Sequence, residues 1–455
     1  MQKVHFIAIG GAAMHNLAIA ISRKSNFIVT GSDDEIFEPS YSRLKENGLL
    51  PKYYGWFPEK IHRGLQAVIL GMHAKEDNPE LLKAKELGLR IFSFPEYLYQ
   101  QTRSKTRIVI GGSHGKTTTT AMILFVLKKL KINADYMVGA QIEGFDNMVK
   151  LSDESRIAVF EGDEYLTSPI DRRPKFHLYK PHIAVLTGIA WDHINVFPTF
   201  PFYVEQFKKF TEIMEIQGRL IYFDGDKNLQ EIASTLRRDI ISFPYNTPDH
   251  EVRDGITYLK TKKGEVALKI FGEHNLQNMN AARLACKQIG VNDDQFYSAI
   301  TEFPGASNRL QKIQETKDSV AFKDFAHSPS KLKATVHAVR QQYPNRKLIA
   351  CMELHTFSSL TEDFLPQYEN CMQEADMAFV YYNPEVVKHK NLNSIEPEKV
   401  RTAFGGNNIE VYTDSQALQR KLRSLDYSNT ALLLMTSGNF SGVNLIDFSG
   451  ELILK

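Results

Sequence analysis

This chain of 455 residues has no apolar run approaching the roughly 20 residues that a membrane-spanning helix requires. It also lacks internal repeats and low-complexity segments, so repeat arrays and disordered tails are set aside. Cysteine is scarce: Cys286, Cys351 and Cys371 are widely spaced, odd in number and without metal-ligand spacing. They suit a reducing compartment, as small buried apolar groups. A net charge of only +2 gives no global field toward nucleic acid or an acidic membrane. Attraction to a phosphorylated substrate must therefore be local. The first strand begins at Val4, leaving no room for a signal peptide, and the expectation is a cytoplasmic protein. What remains, 43% hydrophobic and 24% charged, is an ordinary globular composition with ample core. The length suggests roughly three domains.

The most informative stretch is Gly111-Gly112-Ser113-His114-Gly115-Lys116-Thr117-Thr118. Arg107 to Ile110 reads as a short buried strand before it, and Met122, Ile123, Val126, Leu127 and Leu130 recur at helical spacing after it. Strand, glycine-rich turn, Lys-Thr and helix is the layout of a phosphate-binding loop. Glycines let backbone N–H groups converge on an anion, and the helix N-terminus adds partial positive charge. Lys116 would neutralise β/γ-phosphate charge and the Thr117 hydroxyl would ligate Mg²⁺. The loop is one residue shorter than usual, because Ile110 stands where the first glycine is expected. We read it as an ATP site.

Ahead of it, Val4 to Ile9 forms a strand, Gly10-Gly11 a turn, and Leu17, Ile19 and Ile21 mark a helix. A second strand, Phe27 to Thr30, ends at Gly31-Ser32-Asp33. This is a Rossmann-like βαβ unit with an acidic residue after its second strand. Ala8 and Ala13 replace the outer glycines of the dinucleotide fingerprint. A nicotinamide site and a site for another nucleotide diphosphate both fit. Further strands at Ala67–Leu70 and Arg90–Phe94 complete a parallel domain, with the charged Lys83–Arg90 run as a solvated helix face and Gln100–Thr106 as a polar link. In the second domain, the strand from Ile157 ends at Glu161-Gly162-Asp163-Glu164, and that from Ile183 leads to Asp192-His193. Glu161 alone suits a capping carboxylate and His193 alone a packed histidine. Together, after successive strands of one sheet, they suit magnesium ligands. Gly272 to Ala282 opens a helix on which Asn275 and Asn278 share a face, able to read a purine edge with His274 stacked on it. After a linker through Arg309, strands near Ser319–Phe325, Leu348–Met352, Ala378–Tyr382 and Leu432–Met435 form a third αβ domain.

These blocks, in this order, resemble the Mur ligase family of ATP-dependent amide-forming enzymes. The resemblance rests on Gly112 to Thr118, Glu161-x-Asp163-Glu164, Asp192-His193, Gly272-x-His274-Asn275-x-x-Asn278, Arg309 and Asp324-x-Ala326-His327-x-Pro329, and runs nearly end to end. It implies an α/β protein of three domains. These are a Rossmann-like UDP-sugar domain (1–103), a phosphate-loop ATPase domain with a parallel sheet (104–305) and a Rossmann-like C-terminal domain (306–455). Two branches share the Gly10-Gly11-x-x-Met14 loop and Gly31-Ser32-Asp33. One adds L-alanine to UDP-N-acetylmuramate; the other attaches the recycled tripeptide L-alanyl-γ-D-glutamyl-meso-diaminopimelate. Glu38 to Ser42, Glu164-Tyr165, Asp171 to Phe176 and Thr436 to Gly442 look like the tripeptide branch, which is the expectation carried forward. The chain departs from both branches at Glu353 to Ser358, where an arginine is expected.

The resemblance implies ATP and Mg²⁺ as cofactors, and an acyl phosphate made from the sugar nucleotide's carboxylate. Catalysis would fall to Lys116, Glu161 and His193, with Thr117, Glu161 and His193 holding metal. Gly112, Ser113, His114, Gly115, Lys116, Thr117, Thr118, His274, Asn275, Asn278, Arg309 and Asp324 would hold ATP, and Gly10, Gly11 and Asp33 the UDP group. His327 and His355 are candidates for the acceptor site. Lys208 lies at about the distance after His193 of a lysine carbamylated in some members. The two nearest branches lack that lysine, so a surface role is expected.

Overall fold

A computed structural model describes residues 1–142, 144–191, 196–405 and 408–454. The chain divides into two compact units. One is Met1–Asn246 with Asn278–Ala299, and the other is Thr247–Gln277 with Ile300–Lys455. The helix Glu273–Gln288 contains one of the junctions.

Among the described residues the first unit holds two large sheets and the two-stranded hairpin Leu166–Ser168/Asp171–Pro174. The N-terminal one is fully parallel, in the order Phe27–Ser32, Gln2–Ile7, Ala67–Leu70, Ile91–Ser93. Its first strand stops at Ile7, two residues earlier than the hydrophobic run suggests, because Ala8 takes a positive φ of 64°. The amides of Ala8 and Ile9 then both donate to the Ser32 carbonyl, turning the chain into the helix Ala12–Ser22. The fourth strand also ends early. Ser93 and Glu96 form a reciprocal capping box that starts the helix Phe94–Thr102 where the sequence reading extended a strand. The polar link expected at Gln100–Thr106 shrinks to the three residues between that helix and the strand Thr106–Gly111. Arg107, fully buried, donates to the carbonyls of Thr102, Arg103 and Lys105 and so knits the junction.

The central sheet has seven strands in the order Ile241–Tyr245, Arg219–Phe223, Ile183–Leu186, Thr106–Gly111, Ile157–Glu161, Ala134–Met137, Val149–Lys150. All pair in parallel except the last. Ile108, Val109 and Ile110 are fully buried, as are Val185 and Leu186, giving the continuous apolar runs of a sheet covered on both faces. The chain leaves Thr106–Gly111 toward one edge and later returns to the other side of it. The carboxyl end of that strand is thus a topological switch point, where open α/β sheets bind ligands.

In the second unit, a six-stranded sheet runs Gln311–Glu315, Val320–Asp324, Thr430–Met435, Lys347–Leu354, Met377–Tyr382, Ile409–Tyr412. Only the Gln311–Glu315 edge is antiparallel. A small antiparallel sheet (His250–Arg253, Ile256–Thr261, Gly264–Leu268) belongs to the same unit, with the Thr257 hydroxyl donating to Gln342. The three cysteines are free and buried, and among the described residues no helix is long and apolar enough to cross a membrane.

Candidate active site

The phosphate loop lies at the switch point and its backbone explains its glycines. Gly112 has φ 131° and Gly115 φ 79°, both in the region that side chains avoid. Space is as restrictive as conformation. A Cβ on Gly112 would meet Thr187 Oγ1 at 2.2 Å, and one on Gly115 would meet Asn278 Oδ1 at 2.2 Å. The amide of Ser113 donates to the Gly188 carbonyl at 2.9 Å, tying the loop to the strand end that leads toward His193. Gly115 then caps the helix Lys116–Lys129.

Four side chains converge there. Lys116 Nζ donates to the Gly112 carbonyl at 2.6 Å and to Glu164 Oε2 at 2.7 Å. Glu164 is 1% exposed. The Thr117 hydroxyl donates to Glu161 Oε1 at 2.7 Å, while the Gly139 amide donates to Oε2 of the same carboxylate at 2.7 Å. Burial works against charge on Lys116, but Glu164, Asp163 and Glu161 together raise its pKa above the ordinary value. Asp163 pairs with Lys175 at 2.6 Å. Burial alone would raise its carboxyl, yet Lys175 and Lys116 bring it down to about 2. The hairpin Leu166–Ser168/Asp171–Pro174 rises directly from this pair, with Arg172 exposed and Arg173 bonded to Asp171.

The Thr117 hydroxyl and the Glu161 carboxylate offer adjoining hard oxygen donors, the kind Mg²⁺ takes, so this pair fits the metal. Asp192 and His193 lie outside the described residues. Lys208 is exposed on the helix Phe200–Glu212, whose Tyr203, Phe207 and Phe210 are buried. On the helix Glu273–Gln288, Asn278 abuts Gly115. Asn275 does not cap this helix; it lies within it, its amide donating back to the Phe271 carbonyl at 3.0 Å. Burial lowers the pKa of His274 to about 4, so its ring is neutral at physiological pH. In the N-terminal sheet, Asp33 Oδ2 accepts from the Gly10 amide at 2.6 Å. Burial raises this carboxyl to about 6, against the lowering effect of the Gly10 N–H.

The remaining expected residues lie in the second unit. Asp324, 6% exposed, accepts from the Leu310 amide at one oxygen and from the Ala326 amide at the other, at 2.6 Å. Arg309 lies over the Phe325 ring at 4.5 Å, and His327 Nδ1 is 2.8 Å from the Phe325 carbonyl. His355 Nδ1 is 3.7 Å from Glu353 Oε1. The other Glu353 oxygen accepts from the Thr436 hydroxyl and, at 2.9 Å, from the Phe440 amide. The sequence reading missed two partners in the first unit. Tyr203, on a helix far along the chain, donates to Glu164 at 3.1 Å, and no pattern announces it. Lys175 as partner of Asp163 falls within a stretch already singled out, but as part of another motif.

Three family models match the chain: "Mur ligase family, catalytic domain" at residues 3–106, "Mur ligase middle domain" at 110–286, and "Mur ligase, glutamate ligase domain" at 308–438. A UDP-N-acetylmuramate–L-alanine ligase from Caldicellulosiruptor bescii is 32% identical over 413 residues, 88% of each chain. Among solved structures, a UDP-N-acetylmuramate–alanine ligase from Thermotoga maritima has a TM-score of 0.70 at 20% identity, covering 97% of both chains. A murein peptide ligase from Psychrobacter arcticus has a TM-score of 0.64 at 22% identity, covering 99% of both. At those identities the two structures speak for the fold alone.

Proposed function

The chain belongs to the Mur ligase family, and from that premise we propose that it joins L-alanine to the carboxylate of UDP-N-acetylmuramate. It is an ATP-dependent carbon–nitrogen ligase. The acceptor rests on one observation: a relative 32% identical over 88% of both chains is named as the L-alanine ligase. That outweighs the short stretches that led the sequence reading to a tripeptide.

A carboxylate does not form an amide unaided, because oxide is too poor a leaving group. The sugar nucleotide's carboxylate attacks the γ-phosphorus of ATP, ADP leaves, and an acyl phosphate forms. The amine then attacks the acyl carbon, giving up a proton, and inorganic phosphate departs. The first step brings two anions together, so neutralising charge dominates the barrier. Lys116 would supply that neutralising charge, and the amides at the start of the helix Lys116–Lys129 would hold the phosphates. Thr117 and Glu161, with His193, would hold Mg²⁺, which when bound supplies further neutralisation. Asn278, which abuts Gly115, would contact the nucleotide, and Gly10, Gly11 and Asp33 would take the UDP group. ATP as co-substrate fits a cytoplasmic location.

A second reading, the tripeptide acceptor, is favoured by the hairpin beside Asp163. Its exposed Arg172 offers a cation to the additional carboxylates of a peptide. The test is kcat/KM for L-alanine and for the tripeptide at saturating ATP and UDP-N-acetylmuramate. We expect L-alanine to win by at least tenfold, about 1.4 kcal/mol of transition-state preference. A tripeptide advantage of that size replaces the proposal with the second reading.

A further inference from the structure

The Lys116–Glu164 contact is the end of a longer chain of buried polar groups. Glu164 Oε1 accepts from the Tyr203 hydroxyl at 3.1 Å. Tyr203 Oη is also 2.9 Å from Ser113 Oγ, which in turn accepts from the Ala190 amide at 2.9 Å. A carboxylate paired with an ammonium accepts, so the Tyr203 hydroxyl donates to Glu164. Ser113 can in turn donate to Tyr203 while its oxygen accepts from the Ala190 N–H. The chain thus connects the phosphate-loop serine, the phosphate-loop lysine and the segment after the strand Ile183–Leu186.

We propose that Glu164 is a positioning residue for Lys116. It holds the ammonium cocked over the Gly112 carbonyl, and the γ-phosphate of ATP takes the ammonium from it as the loop fills. This rests on the reading of the loop as the ATP phosphate site. A buried carboxylate 2.7 Å from the ammonium fixes one end of a side chain with four rotatable bonds, so the lysine reaches the γ-oxygens from a defined starting position. The same carboxylate competes with the phosphates for that ammonium. Removing its charge therefore has opposite effects on binding and on turnover. Nucleotide docking loses a competitor, while phosphoryl transfer loses the placement on which it depends. Asp163 and Glu161 also act on the Lys116 ammonium and favour its charged form.

The experiment uses Glu164→Gln, Glu164→Asp and Tyr203→Phe in the full chain. It measures steady-state kcat and KM for ATP, calorimetric binding of Mg²⁺-AMP-PNP and melting temperature. Glu164→Gln should bind AMP-PNP about threefold or more tightly than wild type, while kcat falls about tenfold or more. Glu164→Asp, which keeps the charge, should recover much of kcat, and Tyr203→Phe should fall between wild type and Glu164→Gln. Wild-type values in Glu164→Gln overturn the proposal. So does a loss of affinity matching the loss of kcat without recovery in Glu164→Asp. Should Glu164→Gln fail to fold, Glu164→Asp and Tyr203→Phe decide, and wild-type kcat and affinity in both overturn it. AMP-PNP binding in wild type that Lys116→Ala leaves unchanged would instead overturn the ATP-site reading, a separate result.

Discussion

Two strand-end regions of this molecule are built from the same residue types and held in opposite ways. At the central sheet, Lys116 pairs with Glu164 and Thr117 with Glu161, alongside single backbone bonds to Gly112 and Gly139. In the C-terminal sheet, Asp324 and Glu353 are bonded to the amides of Leu310, Ala326 and Phe440 and to the Thr436 hydroxyl. Side chains that satisfy one another can exchange partners for a ligand without unravelling the backbone. A carboxylate that satisfies two backbone amides holds a loop in place and is costly to remove. Charge behaves accordingly. Near the phosphate loop, cations outweigh burial and Asp163 falls to about 2. At Asp324 burial outweighs the Arg309 charge and the amides, and the carboxyl is raised.

The largest expected effect is on turnover. Lys116→Ala should lower phosphate release by about a thousandfold, the scale of losing a principal donor to a transition-state charge. UDP-N-acetylmuramate binding by calorimetry should survive. The variant also takes the ammonium away from the buried Glu164 carboxylate, so its melting temperature should fall. The double variant Lys116→Ala/Glu164→Gln should recover stability without recovering turnover. Wild-type turnover in the single variant would end the phosphate-loop reading.

Next in size is Asp324→Ala, which leaves two buried amides unpaired. A loss of about 2–3 kcal/mol in urea unfolding is expected, with Asp324→Asn losing less because it keeps one acceptor oxygen. Unchanged stability would mean that the two regions do not differ as described. Smaller again is Glu161→Gln. An amide brings a dipole where a carboxylate brings a full charge, so turnover should drop about tenfold and recover partly at high Mg²⁺. An unaltered magnesium dependence would make Glu161 structural.

The first region was legible in sequence because its chemistry is local: strand, Gly112, Gly115, Lys116 and Thr117 lie within one turn, and Glu161 closes the neighbouring strand. Its partners were not all legible. Tyr203 reaches Glu164 from a helix whose apolar spacing reveals only its buried face. The second region was legible as a motif but not as a function. Asp324-x-Ala326 marks a family block, yet only coordinates reveal that Asp324 spends itself on the amides of Leu310 and Ala326. The antiparallel sheet over His250–Leu268 was not anticipated, since its strands are short and largely exposed and carry little hydrophobic pattern. The alternative acceptor, L-alanine, is better supported than the tripeptide because short motif likenesses weigh less than identity across 88% of both chains.

The smallest effect tests the electrostatic side of the comparison, through pH. Asp33 is clamped by an amide, as Asp324 is, and burial raises its carboxyl to about 6, above an unfolded value of about 3.9. Between those values the folded state holds more protons than the unfolded state. The contribution of Asp33 is therefore fully present below about pH 4 and is lost as pH rises through 6. Asp163 has the reverse sign. Its folded value of about 2 lies below the unfolded one, so its contribution is present above about pH 4 and is lost as pH falls toward 2. Asparagine at either position removes the titration and keeps the shape. From pH 4.5 to 7.5 the melting temperature of wild type relative to Asp33→Asn should decline by about 2 °C. Relative to Asp163→Asn it should stay level over that range and fall only below pH 4. The effects are small because the Gly10 amide offsets part of the burial at Asp33, and solvent screens Asp163, whose side chain is 37% exposed. Curves of the same sign for both variants would show that the two kinds of site differ in geometry but not in charge.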